Sequence, residues 1–218
     1  MAARTAAVLG ATGLVGERVA RLLLGDARWG RVAAIGRRSP PIADAALVRV
    51  EGDLLADGPW LDALAVDDVF CCVGTTIAKA GSEAAFRAVD HDAVVRAAAA
   101  ARQRGAAQFL VVSSMGADPR SRVFYSRVKG EMEAAVAAIG FPCCQVLRPS
   151  LLLGPRAERR RGERAAALLM RPLGPLLGRY RPSHRDAVAA AMVRIAAASP
   201  AGLNVYDSGA IAALAAGA

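Results

Sequence analysis

Tyr125-Ser126-Arg127-Val128-Lys129 sets a phenol and an amine four residues apart in a chain with only three tyrosines and two lysines. On a helix, positions i and i+4 share a face, so both groups can address one small molecule. A phenol can give or take the proton of an alcohol. An adjacent ammonium favours the phenolate and can hold a sugar hydroxyl. Ser114 precedes Tyr125 by eleven residues, at the end of an apolar run, and can hydrogen-bond a carbonyl oxygen. Such a trio suits proton transfer coupled to hydride transfer at a carbonyl, which needs a hydride-carrying cofactor. The alternative is an aromatic at a helix start and a solvated lysine.

The elements upstream provide for that cofactor. Arg4 to Leu9 reads as a short buried strand, followed by Gly10-Ala11-Thr12-Gly13-Leu14-Val15-Gly16 and a helix with apolar residues Leu14, Val15, Val19, Leu22 and Leu23. Strand, glycine turn and helix together form a dinucleotide-binding unit. Gly10 permits the turn, Gly13 lets the backbone approach a pyrophosphate, and Gly16 lets helix and strand pack closely, with free N–H groups at the helix start. A second strand, Arg31 to Ile35, ends in Gly36-Arg37-Arg38. An acidic residue there would suit the adenosine ribose of NAD; two guanidiniums suit a 2′-phosphate, so NADP(H) is expected in preference to NAD(H). The other reading of Arg37 and Arg38 is a solvated surface pair.

Alternation continues along the chain. Strands are predicted at Leu47 to Val50, Asp68 to Val73, Gln108 to Val112, Cys143 to Leu147 and Leu203 to Tyr206. Helices are predicted at Glu83 to Arg104, from Tyr125 to about Ile139, at Ala165 to Leu177 and at Arg185 to Ala197. The fold class is therefore α/β, a Rossmann-type doubly wound parallel sheet with a small C-terminal substrate-capping region. Right-handed crossovers put all strand carboxyl ends on one rim. Gly10, Arg37, Asp53, Gly74 and Ser113-Ser114 should gather there. Asp53 is placed to bond the adenine amine and Gly74 to let a cofactor pass, although each also fits an ordinary turn.

The ordered motifs Gly-Ala-Thr-Gly-Leu-Val-Gly, Ile-Gly-Arg-Arg, Cys-Cys-Val-Gly-Thr-Thr, Val-Ser-Ser-Met-Gly-Ala-Asp, Tyr-x-x-x-Lys and Leu-Arg-Pro-Ser-Leu-Leu-Leu-Gly resemble the short-chain dehydrogenase/reductase superfamily. The run Cys71 to Gly81 is most similar to the atypical branch of the Tat-interacting-protein oxidoreductases and their bacterial relatives. The resemblance implies cofactor contacts at Gly10, Thr12, Gly13, Leu14, Val15, Arg37, Arg38, Val73, Gly74, Tyr125, Lys129, Leu152 and Arg160, with Tyr125 as proton acceptor. It also implies a turn beside the nicotinamide at Arg148-Pro149-Ser150. Pairing of the helices before the fifth and sixth strands, as in many relatives, would give a homodimer.

Composition limits the alternatives. At 218 residues the chain suits one α/β domain, in which residues from about 150 to 218 form a substrate or lid region. The net charge of +9 invites a nucleic-acid partner, but 26 of 28 basic residues are arginines dispersed along the chain, and few aromatics are available for stacking. No nucleic-acid partner is expected. Arg156, Arg159, Arg160, Arg161 and Arg164 form one dense cluster, either a lid over phosphate or a solvated face. Cys71-Cys72 and Cys143-Cys144 fall in different buried strands, where neither a disulfide nor a metal site is natural. Reduced cysteines and a short apolar N-terminus point to a cytoplasmic protein without a membrane span. His91 and His184 have no ligand-like neighbours, and a structural role is expected for each.

The resulting expectation is an NADP(H)-dependent oxidoreductase acting on an unidentified carbonyl or alcohol. Two alternatives stand beside it: an NADPH-sensing regulatory protein without turnover, and an epimerase or dehydratase that oxidises its substrate transiently.

Overall fold

The computed structural model describes residues 3–153 and 183–217. Its core is a seven-stranded parallel sheet in the order β3-β2-β1-β4-β5-β6-β9, comprising Leu47–Glu51, Trp29–Gly36, Arg4–Leu9, Asp68–Cys71, Gln108–Val112, Cys143–Arg148 and Gly202–Asp207. A two-stranded parallel pair, β7 (Leu152–Leu153) and β8 (Ser183–His184), lies apart from it.

Successive strand side chains point to opposite faces, and the sequence uses both. Ala6 and Val8, Val32 and Ala34, Phe70, Leu110 and Val112, and Leu147 face one apolar layer. Helices α1 (Leu14–Leu24), α6 (Arg185–Ala198) and α7 (Ser208–Ala216) complete it with Val15, Val19, Leu23, Val188, Met192 and Ile211. The alternate residues, Ala7 and Leu9, Ala33 and Ile35, Val69 and Cys71, Phe109 and Val111, Cys144 and Val146, face the other layer. There α4 (Ala93–Gln103) and α5 (Phe124–Ala138) contribute Val94, Ala97, Ala98, Met132 and Val136. Small buried alanines let α4 lie close to the sheet while favouring the helix.

Two expected elements take a different form. The fourth strand ends at Cys71 rather than Val73. Beyond it the chain leaves the sheet and forms a short helix α2 (Ile77–Ala80), with Thr76 at its N-cap and left-handed Gly81 after it. The helix expected over residues 83–104 is continuous but not uniform. It begins as α3 (Glu83–Arg87), capped by the Ser82 hydroxyl, and passes through a π segment at Ala88–Asp92 before α4. Such a segment accommodates an extra residue in one turn and re-aims the side chains within it. The expected helix at 165–177, Arg160 and the Arg156–Arg164 cluster lie outside the described residues.

Two histidines make local contacts, His91 Nδ1 with Asp92 Oδ1 at 2.7 Å and His184 Nδ1 with the Asp186 backbone N–H at 3.4 Å. All four cysteines are free. Burial pushes the Cys71 thiol up to about 11, so it stays protonated despite the nearby Lys129 charge. No described helix is long and apolar enough to cross a membrane.

Candidate functional site

The order of the sheet reverses between β1 and β4, and a cavity of about 570 Å³ opens there. Open α/β sheets bind ligands at such a point. Gly10, Thr12, Gly13, Gly36, Arg37, Arg38, Asp53, Cys72, Val73, Gly74, Thr75 and Lys79 are among its lining residues. A smaller cavity of about 250 Å³, lined by Thr5, Arg31, Val48, Asp62 and Val66, shares none of them.

The glycine turn is built by close approach. Gly10 has φ +77°, a left-handed conformation strained for residues with a side chain, and its N–H donates to the Ile35 carbonyl at 3.0 Å. A Cβ on Gly16 would stand 2.3 Å from the Gly10 carbonyl oxygen, so helix and turn meet here only through glycine. Gly13 is the N-cap of α1 and no side chain caps that end. The helix start therefore presents backbone N–H groups and the positive dipole end to the cavity, a fit for a pyrophosphate. Val15 is turned into the core, so a ligand contact there would come from its backbone. Leu14 is half-buried and Gly16 buried, and Leu152 packs half-buried against the same core layer.

Arg37 and Arg38 are exposed at the cavity edge and make no ion pair with any described residue. Asp53 is exposed, and its Oδ1 accepts from the Leu55 N–H at 3.0 Å, the turn role that its position also allowed.

Tyr125 and Lys129 lie one turn apart on α5, and the helix across from them supplies one partner for each. The Tyr125 ring tilts against Phe86 of α3 with centroids 5.4 Å apart. Lys129 Nζ lies 2.7 Å from Asp90 Oδ1 of the π segment, with side chains 4% and 1% exposed. The contact falls outside hydrogen-bond geometry, leaving Oδ1 without a hydrogen-bond partner among the described residues. Asp90 Oδ2 accepts from the Thr75 N–H at 2.8 Å. A Cβ on Gly74 would come within 3.3 Å of Asp90 Oδ1 and 3.9 Å of Lys129 Nζ. The buried pair thus sits directly beneath the Val73-Gly74-Thr75 wall of the cavity.

Ser114 follows the carboxyl end of β5 and is not among the residues that line the cavity. Its hydroxyl is half-buried and turned to the Met115 carbonyl at 3.3 Å, whereas the Ser113 hydroxyl is buried without a hydrogen-bond partner among the described residues. The loop that carries Ser114 rests on α5. A Cβ on Gly130 would stand 2.2 Å from Pro119 N, and the Asp118 N–H donates to the Ser126 carbonyl at 3.1 Å. Met115 N–H also bonds the Pro149 carbonyl at 3.0 Å, and Arg148 Nε grips Glu133 Oε1 at 3.0 Å, so loop, turn and helix are tied together.

Phe86, Thr75 and Asp90 were not among the expected site residues. The signal for Asp90 is present in the sequence: it stands in the buried stripe Phe86, Asp90, Ala93, Ala97 of an otherwise apolar helix face, and a carboxylate buried there requires a partner.

A parallel sheet ordered 3-2-1-4-5-6 with a glycine turn at its reversal defines an NAD(P)-binding Rossmann protein. The chain belongs to the NAD(P)H-binding family, which matches residues 10–199. It is similar to the mitochondrial protein FMP52 of Coccidioides immitis (strain RS), 35% identical over 169 residues that cover 72% of this chain and 69% of that protein. It is also similar to HTATIP2 of Rattus norvegicus, 38% identical over 161 residues, 72% of this chain and 66% of that protein.

Among solved structures, MoeE5 in complex with UDP-glucose and NAD superposes with a TM-score of 0.73 at 19% identity, over 98% of this chain and 81% of that chain. WbmH of Bordetella bronchiseptica with NAD+ gives a TM-score of 0.73 at 16% identity, over 95% and 77%. At these identities the likeness shows the fold. The expected cytoplasmic location is overturned, because FMP52 relatives from several fungi are named as mitochondrial. Reduced core thiols cannot separate one reducing compartment from another, which is why the cysteines misled.

Proposed function

We propose that this protein is an NADP(H)-dependent oxidoreductase that interconverts a small carbonyl compound and its alcohol, with Ser114, Tyr125 and Lys129 at the reacting end. The observation that carries this reading is the seating of Tyr125 on Phe86 and Lys129 on Asp90, beside the cavity that the glycine turn opens. Two residues held on one helix face by separate partners are pre-organised, which catalysis by positioning requires.

Gly10, Thr12, Gly13 and the start of α1 would hold the pyrophosphate, Arg37 and Arg38 the 2′-phosphate, and Gly74 the passing chain of the cofactor. A bound nicotinamide supplies or accepts the hydride. Tyr125 moves the proton at the substrate oxygen through its phenolic oxygen, and Ser114 orients that oxygen by a hydrogen bond. Lys129 holds ribose hydroxyls, with its charge matched by Asp90. The substrate side is assigned to the region from about residue 150 onward.

The test is an NADPH oxidation screen over aldehydes, ketones and quinones, run with Tyr125→Phe in parallel. Phenylalanine keeps the ring that packs on Phe86 and removes only the hydroxyl. Turnover should fall by roughly 10²- to 10⁴-fold with NADPH affinity retained. Full activity in Tyr125→Phe would refute the assignment of the proton donor.

A further inference from the structure

We propose that Asp90 positions Lys129 and cancels its charge, so that the rim takes the cationic ring of oxidised nicotinamide as readily as the neutral ring of the reduced form. The inference rests on the nicotinamide lying beside Lys129, as in the function proposed above.

The carboxylate that α5 itself offers Lys129 is Glu133, one turn further along, and Arg148 engages it through Nε at 3.0 Å. Arg87 and Glu131 satisfy each other at 2.5 Å. Among the described residues, Asp90 is therefore the acid committed to Lys129. It cannot swing away, because Thr75 N–H holds its other oxygen and the wall at Gly74 closes over the pair. The π segment is what presents it: Asp90 lies inside the one turn of the helix that departs from regular α geometry.

Burying two charges is costly, and an apolar pair of the same size would stabilise the fold as well or better. An ion pair at this place is thus better explained by the ligand it faces than by stability. Without Asp90, a nearly solvent-free ammonium would stand next to a ring that gains a positive charge on oxidation. Repulsion across a few ångströms in a partly desolvated site would shift binding towards the reduced cofactor by roughly tenfold. With Asp90 the pair is neutral, and the ring's charge is not penalised.

The dissociation constants of NADP+ and NADPH, measured by calorimetry and fluorescence titration on wild type, Asp90→Asn and Asp90→Glu, test this directly. In Asp90→Asn the ratio of the NADP+ constant to the NADPH constant should rise roughly tenfold, and Asp90→Glu, which keeps the charge, should hold the wild-type ratio. Should the Asn protein fail to fold, Asp90→Ser, smaller and equally uncharged, carries the same comparison. NAD+ and NADH repeat it without reliance on the 2′-phosphate. An unchanged ratio in the uncharged variants overturns the inference. Lys129→Gln separates the two layers of the argument: if it binds both forms like wild type, the nicotinamide does not sit at this rim and both readings fall. If it weakens binding while Asp90→Asn leaves the ratio alone, only the role of Asp90 falls.

Discussion

Phe86 and Tyr125 meet ring to ring across two helices, centroids 5.4 Å apart and planes inclined by 42°, and one turn further along the same two helices Asp90 meets Lys129. The spacing of four on α5 is answered by a spacing of four on the facing helix. The rigid unit at this site is therefore the pair of helices rather than the Tyr-Lys motif alone.

Phe86 is fully buried and also touches the Phe124 ring at 5.8 Å, so truncation would leave a cavity beneath Tyr125. Phe86→Ala should destabilise the protein by about 3–5 kcal/mol. Urea unfolding measures that loss. Among molecules still folded, kcat should fall more than KM rises, because the freed phenol samples unproductive orientations. A pure stability loss with normal kcat would separate Phe86 from the chemistry.

Arg37 and Arg38 stand exposed at the cavity edge with no ion pair among the described residues, so their substitution breaks no salt bridge to them. The double variant to alanine should weaken NADPH roughly ten- to a hundredfold, the loss of one or two charge-assisted contacts, and leave NADH within about twofold. Fluorescence titration of both cofactors reads the difference. Equal losses would mean that the pair does not read the 2′-phosphate.

Asp68 offers a pH test at the opposite end of the sheet. Burial pushes its carboxyl up to about 6, although the Trp29 indole N–H donates to Oδ2 at 2.7 Å and Arg4 pairs with Oδ1. A folded value above the unfolded one means the protonated form binds better to the fold. Its stabilising contribution is complete below about 3.9 and is lost as pH rises through about 6. Between pH 5 and pH 8 wild type should lose about 1 kcal/mol that Asp68→Asn does not. Paired denaturation curves at the two pH values isolate this from other titrating groups.

Much of the fold was legible because it repeats simple rules. The first and fifth strands have the expected boundaries, and α5 begins one residue early, since apolar runs of five or six residues between turns leave few alternatives. The fourth strand was extended by two residues, because Cys72 and Val73 continue the apolar pattern although no partner strand accompanies them. Tyr125, Lys129, Ser114 and the glycines stand out as candidates by spacing alone. Asp90 is marked in the sequence only by its place in the stripe Phe86, Asp90, Ala93, Ala97; that spacing gives the face it shares, and packing alone decides that it meets Lys129.

The amino-acid sequence by itself determined the alternation of strands and helices, the glycine turn, the two arginines and the phenol and amine on one helix face, because each depends on residues within a turn or a strand of one another. Tertiary structure decided which of these groups meet. The reversal between β1 and β4 opened the cavity, and the π segment aimed Asp90 at a lysine 39 positions away. Periodicity records which face a residue takes. Burial and charge compensation across helices depend on packing, which no local spacing encodes.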